Sequence, residues 1–158
     1  MNAGGLSEPI RVIQTGCRGL NVVETSEELI YMGFMMSVTN PNSRILTYTH
    51  DYEHVNEIIL DICGAMFTEL SLCLDNAFIF GTHSEGKISV INVETNEVHI
   101  DDTPPFGGVE NIWGACVFYP RPEGEPQTIF VFTTNGLYQC VLTPQGHFMY
   151  CMEAFYEG

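Results

Sequence analysis

The string His50-Asp51-Tyr52-Glu53-His54 is the stretch whose residue types and spacing come nearest to a catalytic motif. It has the H-x-x-E-H form of inverted zinc peptidases, in which two imidazoles hold a metal and the Glu between them acts as base. That chemistry needs a helix, so that residues four apart face one ion. It also needs a third ligand, for which Glu94 or Glu97 would be candidates. Here the string ends a predicted strand and enters a turn, which aims the two rings apart. A metal-dependent hydrolase centred on His50, Glu53 and His54 is therefore the alternative reading. The main expectation is no catalytic, cofactor-binding or metal-binding residue.

Other reactive side chains carry less. Cys17 lies in Gly-Cys-Arg-Gly, where Arg18 would favour the thiolate, but no paired His is in evidence. His83 precedes a Ser-Glu-Gly turn, either in a hydrogen-bonded turn network or facing solvent, while His99 and His147 read as ordinary strand positions. Gly107-Gly108 opens no convincing helix, and Asp101-Asp102-Thr103 completes no calcium loop. Two loops read better as contact surfaces. DDTPPFGGVENIW (101–113) offers Asp101, Asp102, Phe106, Glu110 and Trp113; YPRPEGEPQ (119–127) is Pro-rich and offers Arg121, Glu123 and Glu125. Trp113 also opens a predicted strand, which favours a place in the core over a role as interface anchor.

Charge restricts the partners. Five Lys and Arg against twenty Asp and Glu give a formal charge of −15 in 158 residues. Phosphate backbones and anionic lipid surfaces are both bound through basic side chains, so neither nucleic acid nor a membrane surface is expected as partner. A basic protein partner fits the imbalance, as does plain solubility or an acidic decoy of nucleic acid. Hydrophobic content of 45% against 16% charged indicates a folded domain with a core. The start MNAGGLSEPIR lacks a basic segment followed by an apolar one, which predicts no secretory signal and a cytoplasmic or nuclear location. The six cysteines show no C-x-x-C spacing and are expected as free thiols, with Cys73, Cys116 and Cys140 acting as small hydrophobes inside apolar strands.

The elements that must position these residues read as strands throughout. Val, Ile, Thr, Phe and Tyr runs at 20–24, 29–38, 44–50, 55–62, 67–74, 77–83, 87–94, 97–101, 113–120, 128–134, 137–143 and 147–154 alternate with Gly, Pro, Asn and Asp punctuation. Residues 51–73 also allow a helix through Val55, Ile59, Ile62 and Met66, but Gly64 and the β-branched Ile58 and Ile59 favour strands. Corresponding hairpin strands begin near Arg44, Lys87 and Leu137 at a spacing close to that of propeller blades. Residues 1–10 are expected to be a flexible terminus. Residues 11–158 are expected to form one β domain, with units at 20–62, 67–101 and 112–154.

The segment AFIFGTHSEGKISVINVETNEV (77–98) resembles a WD-type propeller blade: strand, Gly-bearing turn, alternating strand, acidic turn, strand. Ile91-Asn92 stands where that family has Trp-Asp. LCLDNAFIFGTHSEGKISVINVETNEV and TIFVFTTNGLYQCVL are also similar in pattern to the amino-terminal propellers of Rod-type kinetochore proteins. The resemblance implies an all-β fold of antiparallel propeller-like blades, a partial propeller, with a β-sandwich or barrel as alternative. It implies a non-catalytic scaffold module in a larger assembly; in the Rod-type case that assembly serves a mitotic checkpoint and recruits dynein. Three blades do not close a ring, so a protein partner that completes the propeller, or one with a basic surface, is expected.

Overall fold

The computed structural model describes residues 12–101, 112–118 and 121–155, and strands account for every regular element among them. β1 (Cys17–Thr25), β2 (Leu29–Ser37), β3 (Asn42–Thr49) and β4 (His54–Cys63) form sheet 1. β5 (Phe67–Cys73), β6 (Phe78–His83), β7 (Ile88–Asn92) and β8 (Val98–Asp101) form sheet 2. β9 (Ile112–Val117), β10 (Gln127–Thr133), β11 (Gly136–Leu142) and β12 (Phe148–Phe155) form sheet 3. Each sheet is an antiparallel meander in chain order. The ambiguous stretch 51–73 holds the end of one sheet and the start of the next, separated at Gly64, whose φ of 82° ends the strand. No helix among the described residues is long and apolar enough to cross a membrane. The expected flexible terminus, residues 1–10, lies outside the described residues.

Turn chemistry explains why the meanders form. In the β6–β7 hairpin, Glu85 and Gly86 take φ of 67° and 76°. Two consecutive positive values suit the right-handed twist of the flanking strands. In the β7–β8 hairpin, the Asn92 carboxamide accepts from the backbone N–H groups of Glu94 and Thr95, and Asn96 takes the left-handed conformation. In the β11–β12 hairpin, Gly146 (φ 86°) lies so close to Phe78 that a Cβ there would sit 2.4 Å from the ring.

The sheets stack in chain order, β1 and β2 against β5, then β5 and β6 against β9. Between sheets 1 and 2 lies a cluster of Tyr31, Ile45, Ile58, Leu60, Ile62, Phe67, Leu70 and Ile79. Between sheets 2 and 3 lies another, with Phe80, Ile88, Ile112, Ile129, Val131, Tyr138 and Cys140. The far side of sheet 1 is closed by Phe34, Leu46 and Tyr48, with Ile13 and Cys17 against them. Within that side the guanidinium of buried Arg44 donates to the Asn42 carbonyl at 3.1 Å and pairs with Glu57 at 3.5 Å.

Phe67 joins sheets 1 and 2, and it fits because position 33 carries no side chain. A Cβ at Gly33 would lie 2.9 Å from the Phe67 ring and 2.5 Å from the Val22 methyl. Gly33→Ala is therefore expected to cost about 1–3 kcal/mol by overpacking. Urea unfolding should show the midpoint falling without a change in slope; an unchanged midpoint would mean that the joint yields freely.

Candidate functional site

The catalytic-looking string is a hairpin turn. β3 ends at Thr49 and β4 begins at His54, so His50 to Glu53 make the connection. Thr49 donates its backbone N–H to the Glu53 carbonyl at 2.9 Å, and Tyr52 takes φ 65°. His50 Nε2 hydrogen-bonds the Ser26 carbonyl at 2.9 Å, whereas the His54 ring lies 5.2 Å from that of Tyr48. The helix that zinc-peptidase geometry requires is not there. Among the described residues, no three His, Cys, Asp or Glu side chains gather to hold a metal.

The acidic loops divide differently. Asp102, Phe106 and Glu110 lie outside the described residues. Asp101 ends β8 and is half-buried, while Glu123 and Glu125 are on the surface. Trp113 corrects the expectation of a core residue: 60% of it is exposed. The cause is a register break. Phe132 faces Gly114 and Thr133 faces Ile112, so Trp113 is the extra residue of a bulge, and bulges re-aim side chains. Cys116 likewise is exposed and not a buried hydrophobe, whereas Cys73 and Cys140 are buried.

Arg121 is also corrected, from a surface contact to an internal clamp. Its side chain is only 7% exposed. Nη2 donates to Asp75 Oδ2 at 2.6 Å, and Nη1 donates to the carbonyls of Pro122, at 3.3 Å, and Glu125. Gln127 completes the clamp: its Oε1 accepts from the Leu74 N–H at 3.1 Å and its Nε2 donates to the Phe118 carbonyl at 2.7 Å. The receiving turn is costly by itself. Leu74, Asp75 and Asn76 take φ of 51°, 57° and 66°, three successive left-handed residues without a glycine. Such a turn persists because Arg121 from the β9–β10 loop and Gln127 at the start of β10 hold two of its three residues. No single-sequence signal marks this pairing, because Asp75 and Arg121 are 46 positions apart.

His83 proves to be the most perturbed of the chemically capable groups with a described side chain. It is fully buried, its ring 4.5 Å from Phe67, and its Nε2 shares a hydrogen bond with Ser89 Oγ at 2.8 Å. Burial, with a smaller contribution from the Lys87 charge, lowers its pKa to about 3, so the imidazole is neutral. Its Nδ1 is buried without a hydrogen-bond partner. The hydrogen-bonded turn-network expectation is the one that matches, inside the core and not at the surface. Cys17 shows the opposite of thiolate activation: burial raises its pKa, and the opposing charge is that of Arg44. Burial pushes the Cys73 thiol up to about 12.

A cleft of about 360 Å³ opens at the rim between sheets 2 and 3, lined by Phe78, Asn92, Glu97, His99 and His147 among others. Its polar groups come from the β7–β8 and β11–β12 hairpins. Compared with known proteins, the chain matches no family model and no curated protein.

Two outcomes follow from these contacts. Because the folded state keeps His83 neutral down to about pH 3, against 6.5 ordinarily, it binds fewer protons than the unfolded chain between those values. Stability from this group is therefore full above pH 6.5 and falls as pH drops toward 3. His83→Gln should flatten the pH dependence of unfolding free energy by up to one proton, about 1.4 kcal/mol per pH unit, between pH 6 and 4.5. Equal slopes would mean that His83 is already solvated. Arg121→Ala should cost about 1–3 kcal/mol and speed proteolytic nicking within 119–127, because Asp75 and two carbonyls lose their donor. Arg121→Lys should not restore slow cleavage, since an ammonium lacks the fork that reaches several acceptors.

Proposed function

We propose that this chain is a non-catalytic protein-interaction module made of propeller-type blades, working as part of a larger assembly. The observation that carries the reading is the stacking order. Three meanders of one strand order succeed each other, with β1 beside β5 and β5 beside β9. Neighbouring blades of a propeller have this relation, each a four-stranded sheet arranged around a channel. A sandwich would set two sheets face to face and leave no third in series.

The mechanism is presentation from a rigid support. Arg121 and Gln127 fix the base of the Pro-rich loop, and Glu123 and Glu125 project from it into solvent. With a net charge of −15, such a surface attracts a basic protein and repels nucleic acid and anionic lipid. The buried thiol of Cys73 suits a reducing compartment, cytoplasmic or nuclear. The similarity to Rod-type propellers supplies a setting for such a module, a kinetochore assembly.

The test is titration of a Lys/Arg-rich peptide into the purified chain at two salt concentrations. The double variant Glu123→Lys, Glu125→Lys should bind the peptide about fivefold or more weakly at low salt, and the difference should shrink as salt screens the charges. Equal affinity of variant and wild type would remove this loop from the contact surface.

A further inference from the structure

The two ends of the stack differ. Sheet 1 covers most of its far side with its own cluster of Phe34, Leu46 and Tyr48 under Ile13, leaving Ile59 of the edge strand 47% exposed. Sheet 3 does not. Its side turned from sheet 2 carries Cys116 opposite Phe130, with Phe132 two residues along the same strand and Phe118 edge-on to Phe130 at 6.1 Å. Phe118 is 52% exposed and Phe132 43%, and Cys116 is exposed too. Leu137, Gln139 and Val141 of β11 lie on the same side, opposite Phe132, Phe130 and Thr128. The face is thus mainly apolar and uncharged, with Gln139 and Thr128 as its polar members.

Composition says the same thing independently. IWGACV, QTIFVFT and GLYQCVL, the whole of β9, β10 and β11, contain no Asp, Glu, Lys, Arg or His. A sheet with one wet face alternates apolar and polar residues; a sheet covered on both faces does not. By contrast β4, at the edge of sheet 1, turns Glu57 and Asp61 to solvent.

We infer that the outward face of sheet 3 is a docking surface for an antiparallel β-sheet of a partner protein, laid on it as sheet 3 is laid on sheet 2. The occupant is a sheet because the surface continues an established interface. Sheets 2 and 3 already meet face to face through an apolar cluster, and β9 lies beside β5 as β5 lies beside β1. A second copy is disfavoured, since each chain carries −15 and two copies would bring like charges together. The partner's covering face is apolar, and its rim is neutral or basic. This rests on the module reading above but concerns a different surface from the acidic loop.

The experiment places photoreactive benzoylphenylalanine at Phe132 in the full chain, expressed in cells of its source, with Val55 of β4, 51% exposed, as control position. The expected result is an adduct at 132, not at 55, whose sequenced peptide is an apolar strand of an antiparallel sheet in another protein. Cys116→Glu, a surface change expected to leave the melting temperature within about 2 °C, should lower adduct yield about tenfold or more, because docking would bury an unpaired charge. An adduct with a second copy, with a helix, or at the yield of the control would overturn the proposal. If 132 gives no specific adduct while basic-peptide binding still depends on Glu123 and Glu125, only the docking face fails. If the adduct forms but loop charge is irrelevant, only the loop reading fails.

Discussion

The ring of Phe67 occupies space that exists because position 33 carries no side chain, and the Ser89 hydroxyl beside it has room because position 81 carries none. A Cβ at Gly33 would press the ring from sheet 1, and one at Gly81 would come within 3.5 Å of it while lying 2.5 Å from Ser89 Oγ. The same ring lies against His83, and its backbone carbonyl accepts a hydrogen bond from the Asn21 side chain. A side chain at position 33 would press on the Phe67 ring, and one at position 81 would press on Ser89 Oγ, the hydrogen-bond partner of His83. The first interior joint of the molecule is thus a matter of volume before it is a matter of charge, as expected for a close-packed core.

The second joint depends on polar geometry. Three successive left-handed residues at 74–76 are held by a guanidinium and a carboxamide from the loop entering β10. Each partner stabilises the other: the turn presents Asp75 and the Leu74 N–H, and the loop gains a fixed path. Since Asp75 is 71% exposed, the ion pair alone contributes little. The strength lies in the several hydrogen bonds that share one buried side chain. That economy leaves Glu123 and Glu125 free for the surface.

Sheet 3 illustrates how burial and composition have to agree. Its strands are written for cover on both sides, yet Phe118, Phe132 and Cys116 meet solvent. Exposed apolar surface of this kind, on a sheet without charged residues in three of its four strands, is the basis of the docking face proposed above. The net charge of −15 opposes self-association through that face.

Most of the architecture was legible because strand periodicity and turn chemistry act over a few residues. Alternation, Asn92 and Asn96 in one hairpin and Gly86 in another set twelve strands and their connections, and equivalent strands recur at blade-like spacing. Even the string at 50–54 could be read as a turn from its place between two apolar runs. The sites were less legible. Trp113 moved outward because a bulge shifts register opposite Phe132, and Arg121 turned inward because Asp75 stands on another sheet. His83 became a neutral core group because Phe67 and Ser89 close over it. Local patterning thus determined the strands and their order, whereas side-chain burial and charge pairing depended on which sheet face lies against which. That was decided only by contacts between residues far apart in sequence.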